Sequence, residues 1–441
     1  MKSPKFRTVF PKLAAVILLV FSATSVVGCG VATPEPTPIP TATVIPPTAT
    51  QPPTPIPTET PIPTATETPF IPKATIKIVS QSPLSGDQAI YGQDIARSAE
   101  LAVDQLAGSL EELGYKIEFV AYDDQASIDI GMVNAKEIVA DPQVLCGVGH
   151  FNSRVMINTS DLYHLEGLVF VSPSNTAPNV TERGYLEVNR LVGRDDGQGA
   201  AGALFAQAQG YTNIFVVRND LDFARRNADA FKREASQLVL KVVGDFEASV
   251  EAGNYSAVIE HLMTANPDMV YFSGTADQAG AFFKQARLAG YTGTFLGTDE
   301  NPALVETGGP LPIENGGLYY VSTVAQAGDY PDATEFIQNF NSLYGTDPQV
   351  YAAQAYDAAG ICMKAIEEAS RAKGGELPTR EEVALAIRAL QDFKGISGTY
   401  NFNEKGDPLP ARYYVYQVVS ADPANWGQSI IFASYDVAPP H

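Results

Sequence analysis

The chain is organised around residues 143–185, QVLCGVGHFNSRVMINTSDLYHLEGLVFVSPSNTAPNVTERGY. Two short apolar runs, 143–149 and 167–172, are typical of buried strands, and residues 154–164 between them are predicted to be helical. Each run is followed by small polar residues that include hydroxyl groups. Ligands of parallel α/β sheets bind at the carboxyl ends of strands, beside helix N-termini. The pattern therefore predicts a binding site that suits a carboxylate.

Strands and helices alternate along the chain from residue 74. This alternation predicts an α/β protein with parallel sheets and helices on both faces, and the folded part is too long for one simple core. Further strands are predicted at 75–80, 116–122, 213–217, 239–245, 268–273, 294–296, 317–323 and 412–419. Further helices are predicted at 93–108, 222–236, 255–265, 276–289, 333–343, 350–370 and 380–390.

The first 28 residues have the composition of a signal peptide. Four basic residues lie within the first twelve, and a mostly apolar run over 13–28 ends at Cys29. Such a run is short for a membrane span, and its charged start and small-residue exit are typical of a signal peptide. Residues 26–29, VVGC, resemble a bacterial lipobox in which Val26 replaces the usual leucine, so we expect lipidation at Cys29. An uncleaved membrane anchor is the alternative.

Residues 31–72 are rich in proline and threonine, with fourteen of the 32 prolines of the chain. Such a segment has almost no apolar surface to bury and adopts extended polyproline-II conformations. At ~3.1 Å per residue it reaches up to on the order of 130 Å. We expect a disordered spacer between Cys29 and the folded part.

The chain is strongly acidic. Its formal charge is −21, and it is −25 once the four positive charges of the signal peptide are removed. A folded part of this charge without a basic stripe argues against nucleic acid and an anionic membrane surface as partners.

Catalytic motifs mostly fail in this sequence. Residues 146–152, CGVGHFN, match a dinucleotide-binding fingerprint only in part, because Asn152 replaces the third glycine. The four histidines have no metal-ligand spacing. The pair Asp123-Asp124 follows a predicted strand, and a capping role is favoured over acid–base catalysis because no histidine or nucleophile is expected nearby. The sequence therefore predicts no enzyme, no cofactor and no metal.

An ordered set of motifs resembles the branched-chain amino acid-binding proteins of ABC transporters, the leucine/isoleucine/valine-binding family. The resemblance spans about residues 77–419. It implies the type I periplasmic binding protein fold, in which two α/β lobes are joined by three hinge crossings. The residues that carry it are Gly149-His150, Ser153, the run VSPSNTAPNVTERGY at 171–185, Arg190 and the run DDGQG at 195–199.

The resemblance implies a division of the chain into segments. The predicted crossings lie near Asp195, Gly317 and Asn403, and the strand at 317–323 is interpreted as a return to the first lobe. The segment after Ser420 is not assigned. The expected segments are a signal peptide at 1–28, the lipidated cysteine and tether at 29–73, a first lobe at 74–194 with 317–402, and a second lobe at 195–316 with 403–441.

Two cysteines, Cys146 and Cys362, fall within the predicted folded part, one in an apolar strand and one on an apolar helix face. Such positions are typical of small buried hydrophobic side chains. The disulfide found in some relatives has no counterpart, because Ala126 and Asn152 occupy those places. We therefore predict no structural disulfide.

The resemblance also implies a ligand site formed by both lobes. In the first lobe, Ser153 is expected to bind an α-carboxylate through its hydroxyl and N–H. Thr176 is expected to bridge the carboxylate and the ammonium, and Ser174 to offer its backbone carbonyl. In the second lobe, Asp299 replaces the family glutamate that pairs with the ammonium.

Three further positions concern the ligand side chain. Tyr91 matches an aromatic residue that covers it. Phe223 and Thr275 each replace a tyrosine. The phenolic hydroxyl is lost at Phe223, and Thr275 either opens space or adds a hydrogen-bonding group. These departures argue against leucine, isoleucine or valine specifically and leave an amino-acid-like ligand.

The function implied is that of a monomeric, lipid-anchored binding protein on the outer face of the cytoplasmic membrane. It is expected to capture an amino acid or similar small ligand by hinge closure and to deliver it to an ABC permease and ATPase. One alternative is a sensor that presents its ligand to a membrane receptor. Another is a lipid-anchored hydrolase, which the missing nucleophile–base pair disfavours.

Overall fold

The computed structural model describes residues 71–248, 253–298, 304, 307–313, 317–420 and 429–439. The predicted signal peptide, Cys29 and the tether lie outside the described residues, as does Asp299. In the part of the chain that the structure describes, every helix is too short or too polar to cross a bilayer.

The first sheet has five parallel strands in the order β2-β1-β3-β4-β5. Strands β3 and β4 are buried along their whole length, which explains their continuous apolar sequences. The elements are β1 (Ala74–Ser82), α1 (Ala89–Leu106), α2 (Gly108–Glu112), β2 (Tyr115–Asp123), α3 (Ile128–Ala140), β3 (Val144–Gly149), α4 (Ser153–Leu165), β4 (Val169–Ser172) and β5 (Val188–Arg190).

The chain then enters a second sheet. Helices and strands alternate here as in the first sheet. The helix α7 (Ser256–Ala265) is followed by Asn266, which has a left-handed backbone conformation with φ 43°. The elements are α5 (Asp195–Ala208), β6 (Asn213–Arg218), α6 (Asp222–Gln237), β7 (Lys241–Glu247), α7 (Ser256–Ala265), β8 (Met269–Ser273), α8 (Ala276–Leu288), β9 (Thr294–Thr298) and β10 (Leu318–Ser322).

Three helices follow that pack on the first sheet and its helices, which together we call the first half. Two long strands then complete the second sheet, which with its helices we call the second half. Thr379 and Glu382 form a capping box at the start of the last helix. The elements are α9 (Thr334–Tyr344), α10 (Ala352–Ala372), α11 (Arg380–Ala389), the short strands β11 (Phe393–Lys394) and β12 (Thr399–Tyr400), β13 (Ala411–Val418) and β14 (Ser429–Val437).

The second sheet has the order β14-β13-β10-β9-β8-β6-β7. Strands β6 to β10 are parallel, and β13 and β14 add an antiparallel edge. The predicted α/β class, with sheets flanked by helices, is confirmed. Strand β14 lies in the segment that the sequence analysis does not assign.

The sequence interpretation of residues 317–323 as a return to the first lobe is wrong. Strand β10 is hydrogen-bonded between β9 and β13, so it belongs to the second sheet. A five-residue apolar strand fits either sheet by composition, and only its partner strands decide. The chain returns to the first half after β10, where Leu101 of α1 packs in one cluster with Phe336 and Phe340 of α9. The other lobe boundaries stay predictions.

The prediction of no disulfide is also wrong. Cys146 of β3 and Cys362 of α10 form a disulfide whose Cα atoms are 5.8 Å apart. Both residues are fully buried in the core of the first half. Each had the expected apolar surroundings, but the packing of α10 against β3 brings the two sulfur atoms together.

Candidate functional site

The end of β3 leads directly into a helix N-terminus. Asn152 is the N-cap of α4, and the half-buried Ser153 is its first residue. The first N–H groups of a helix have no intrahelical acceptor, so Ser153 offers an N–H and a hydroxyl at one place. Its Oγ accepts a hydrogen bond of 3.4 Å from the N–H of Ala177. This contact joins the loop after β3 to the loop after β4.

The loop after β4 is held by further hydrogen bonds to the loop after β3. Ser174 Oγ donates to the carbonyls of His150 at 3.0 Å and Phe151 at 3.2 Å. Asn175 Nδ2 donates to the same two carbonyls at 2.8 and 2.9 Å. The Ser174 hydroxyl is therefore engaged within the protein, and the backbone carbonyl is the group that the prediction assigns to the ligand.

Thr176 lies where the first half meets the start of α5. Its carbonyl accepts a hydrogen bond of 2.9 Å from the N–H of Asp195. Burial raises the pKa of Asp195, and interactions with the Thr176 hydroxyl and with Arg226 oppose this rise only in part. An Arg226 nitrogen lies 3.3 Å from Asp195 Oδ2. Thr176 is thus linked through Asp195 to α6 of the second half.

An aromatic wall stands beside Ser153. The ring of Tyr91 in α1 stacks on Phe151 with centroids 5.4 Å apart and an interplanar angle of 6°. Tyr351 meets Phe151 edge-on at 6.1 Å, and it holds a left-handed backbone with φ 73° directly before α10. Non-glycine residues with this conformation concentrate at functional sites. Tyr91 is among the predicted site residues, whereas no sequence motif points to Phe151 or Tyr351.

Two predicted site residues of the second half lie at the start of α6 and after the end of β8. Phe223 lies half-buried in the first turn of α6, and Thr275 is the N-cap residue of α8. Ser273 Oγ donates to the carbonyl of Ala224 at 2.9 Å, which joins the end of β8 to the first turn of α6. Thr275 Oγ1 is buried and has no hydrogen-bond partner among the described residues.

The predicted site residues therefore fall into two groups. Ser153, Ser174 and Thr176 lie on two hydrogen-bonded segments that follow β3 and β4. Phe223 and Thr275 lie near the hydrogen bond that joins the start of α6 to the end of β8. Within the described ranges, no hydrogen bond or ring contact joins Phe223 or Thr275 directly to Ser153. The role of Asp299, outside these ranges, stays a prediction.

A buried polar cluster surrounds His150, which directly follows β3. The sequence expectation that no histidine lies near Asp124 is wrong, because His150 Nδ1 is 3.5 Å from Asp124 Oδ2. His150 Nε2 lies 3.1 Å from both Thr159 Oγ1 and Tyr163 Oη. This composition resembles a catalytic triad, but all four residues are 0% exposed and Thr159 Oγ1 donates to Val155 O at 2.9 Å. A substrate cannot reach it.

The predicted helix-capping role of the neighbouring Asp123 is wrong, because Asp123 instead holds the loops that follow β1 and β2. Its Oδ1 accepts hydrogen bonds from the N–H groups of Leu84 at 2.8 Å and Gln125 at 2.9 Å. Ser127 is the N-cap of α3. Across the described residues, no group of histidine, cysteine, aspartate and glutamate side chains is arranged to hold a metal ion.

A buried ionic cluster connects the chain segments between the two sheets. Asp407 Oδ1 lies 2.8 Å from Arg190 Nε and accepts a hydrogen bond of 2.6 Å from Thr181 Oγ1. Burial acts to raise the pKa of Asp407, but Arg190, Thr181 and Arg194 outweigh it and the pKa lies below its ordinary value. Asp407 is therefore a carboxylate that fixes the segment after β5 to the segment before β13.

Comparison with known proteins agrees with this architecture. Residues 75–423 match the model of the family described as periplasmic binding protein. A Leu/Ile/Val-binding protein homolog from Brucella melitensis is 30% identical over 351 residues, covering 76% of this chain and 88% of the relative. A leucine-, isoleucine-, valine-, threonine- and alanine-binding protein from Pseudomonas aeruginosa is 28% identical over 347 residues, covering 78% of this chain and 90% of the relative.

A solved structure shows the same fold. The leucine-binding protein from Thermotoga maritima superposes with a TM-score of 0.66 at 26% identity, covering 82% of this chain and 99% of that one. All three of these proteins carry names of binding proteins. The resemblance predicted from the motifs, and the fold it implies, are confirmed over nearly the whole span from residue 77 to 419.

Proposed function

Because the chain belongs to the periplasmic binding protein family, we propose that it captures a neutral amino acid outside the cytoplasm and delivers it to an ABC importer. The observation that carries the proposal is the pair of hydrogen-bonded loops after β3 and β4. They place the Ser153 hydroxyl at a helix N-terminus, beside the stacked rings of Tyr91 and Phe151. A helix N-terminus favours a carboxylate, and aromatic rings suit an apolar side chain.

The ligand class follows from the relatives and from the residues of the second half. The names of the relatives include leucine, isoleucine and valine, and in one case threonine and alanine. Thr275 supplies a buried hydroxyl that has no hydrogen-bond partner among the residues that the structure describes, which suits a hydrogen bond to a ligand. Phe223 supplies a ring without a hydroxyl. A neutral amino acid, including one with a hydroxyl group, fits this pair better than a strictly branched-chain ligand.

In the proposed mechanism the ligand bridges the two lobes. Ser153 and Thr176 bind the carboxylate and Asp299 binds the ammonium, while Tyr91 and Phe223 cover the side chain. Closure about the segments between the sheets then buries the ligand. The lipid on Cys29 and the spacer at 31–72 keep the domain at the membrane, near the permease.

A thermal-shift screen of the twenty amino acids, with small amides and carboxylates as comparison ligands, tests this proposal. A ligand at about 100 times its dissociation constant stabilises the protein by ~2.7 kcal/mol. We expect at least one neutral amino acid to stabilise the protein, and Ser153→Ala to remove the shift. Small-angle scattering with that ligand should show a smaller radius of gyration. A response to carboxylates or amides alone would contradict an amino acid ligand.

A further inference from the structure

A cavity of about 550 Å³ lies where the chain passes between the two sheets, and we call it the passage pocket. Six stretches of the chain line it: Leu191 after β5, residues 323–324 with 329–332 after β10, Gln354 of α10, residues 396–401, residues 408–410 with Arg412 and Tyr414, and Asp436 of β14. It shares no residue with the predicted ligand site. Its volume lies within the range typical of small-molecule sites.

The pocket contains a buried hydrogen-bond acceptor without a donor. Gln354, in the first turn of α10, lines the pocket and is 2% exposed. Its Nε2 donates at 2.7 Å to the hydroxyl of Tyr330, which also accepts the N–H of Ala325 at 2.7 Å. Gln354 Oε1 has no hydrogen-bond donor among the residues that the structure describes. Since buried polar atoms in proteins are nearly always paired, Oε1 is suited to accept from a ligand.

The net charge of the lining residues indicates which kind of hydrogen-bond donor the pocket can bind. Asp329, Asp332, Asp436 and Arg412 line it, which gives a net charge of −2. Arg412 is already paired with Asp436 at 2.7 and 2.8 Å, so it is not free to bind an anion.

The aromatic walls point to the same kind of ligand. The rings of Tyr330 and Tyr414 meet edge-on at 6.2 Å and both line the pocket. Burial raises the pKa of both phenols, so they remain uncharged. The faces of neutral aromatic rings attract cations.

We propose that the passage pocket binds a small primary amine, whose ammonium group donates a hydrogen bond to Gln354 Oε1 while Asp329 and Asp332 balance its charge. An ammonium group supplies the missing donor, and the negative lining excludes carboxylates and phosphates. This site is separate from the proposed amino acid site, so a ligand of that site should not compete.

Titration calorimetry of the full chain with 1,4-diaminobutane tests the proposal. Butane-1,4-diol and succinate are matched probes that replace the two ammonium groups with hydroxyls or carboxylates. We expect saturable one-to-one binding of the diamine only, and no displacement of it by the amino acid found in the thermal-shift screen. Binding of succinate, or no saturable binding of the diamine, would overturn the proposal.

Substitutions locate the binding. Gln354→Leu removes the acceptor and should weaken diamine binding roughly ten- to hundredfold, the usual loss for a hydrogen bond to a charged group. Gln354→Glu keeps the shape, adds a negative charge and should tighten binding, which decides the matter if the leucine variant unfolds. If Gln354→Glu leaves diamine binding unchanged or weaker, the amine does not contact this residue and the proposal fails.

A control distinguishes binding at a specific site from non-specific attraction to an acidic surface. Asp332→Asn should weaken diamine binding, whereas Glu335→Gln, an equal charge change three residues along that lies outside the pocket lining, should not. Equal weakening by both would show that the diamine is held only by the overall negative charge, and would overturn the proposal.

Discussion

Arg190 and Asp407 form an ion pair in which both side chains are 0% exposed and Nε lies 2.8 Å from Oδ1. Arg190 ends β5 of the first sheet, and Asp407 lies in the segment that leads into β13 of the second. Arg190 also donates to the carbonyls of Asn175 and Ala177, on the loop that carries Thr176. This buried pair therefore holds together two segments that connect the sheets, and it also fixes the loop that carries Thr176.

We expect Asp407→Asn to destabilise the protein by about 3–5 kcal/mol, because it leaves the Arg190 guanidinium buried without a counter-charge. The matched control is Asp436→Asn, which breaks the exposed pair with Arg412 and should cost at most about 1 kcal/mol. Urea denaturation measures both variants. Equal losses would show that the buried pair is no more important than a surface pair.

Asp357 should make stability fall as the pH rises from about 4 to about 7. Burial raises the pKa of Asp357 to about 7 against hydrogen bonds from Ser397 and the N–H of Ile396. Between its ordinary pKa of 3.8 and about 7, the folded state holds a proton that the unfolded state has released. Stability from this group is therefore lost with rising pH, by up to about 4 kcal/mol.

The comparison that isolates Asp357 uses Asp357→Asn, which has no titrating carboxyl at this position. The unfolding free energy of the native protein minus that of the variant should decrease from pH 4 to pH 7.5. Denaturation curves at a series of pH values measure it. A difference that stays constant or grows with pH would contradict the raised pKa.

The disulfide between Cys146 and Cys362 should stabilise the first half. Reduction should lower the unfolding free energy by roughly 2–5 kcal/mol, the usual cost of losing a native disulfide. Thiol titration of the protein denatured without reductant should find neither cysteine reactive, and Cys362→Ser should expose one thiol at Cys146. Two reactive thiols in the unsubstituted protein, denatured without reductant, would show that the disulfide is absent.

Lipidation at Cys29 is tested by metabolic labelling with a fatty acid. We expect Cys29→Ser to carry no label, since the lipid is attached through the cysteine sulfur. Cys146→Ser, expressed in parallel, should keep the label and serves as the control. Equal labelling of Cys29→Ser and the parent would contradict the lipoprotein assignment.

Much of the fold could be predicted because its strands are short and continuously apolar. β3 and β4 lie within a residue or two of their predicted bounds, since a strand buried on both faces leaves a clear sequence pattern. Helix α3 could not be predicted, because Gly131 in its second turn weakens its helical pattern and only Ser127 marks its start. The sheet that receives β10 could not be predicted, because strand composition does not identify partner strands.

The candidate site could be predicted in part. Ser153 and Thr176 each follow a predicted strand, so their position after β3 and β4 could be predicted from local sequence. Tyr351 reaches the site only because α10 folds back beside the loop that holds Phe151. The nearness of His150 to Asp124 and the bond between Cys146 and Cys362 are likewise set by packing between segments distant in sequence, which no local pattern contains.

The central claim is that the protein binds both charges of an amino acid, the ammonium through Asp299 and the carboxylate through Ser153 and Thr176. The most direct measurement is titration calorimetry of the native protein and Asp299→Asn, each with the amino acid found in the screen and with its analogue lacking the amino group. The native protein should prefer the amino acid by roughly 2–5 kcal/mol, and Asp299→Asn should lose most of that preference. Equal binding of both ligands by the native protein would contradict the account.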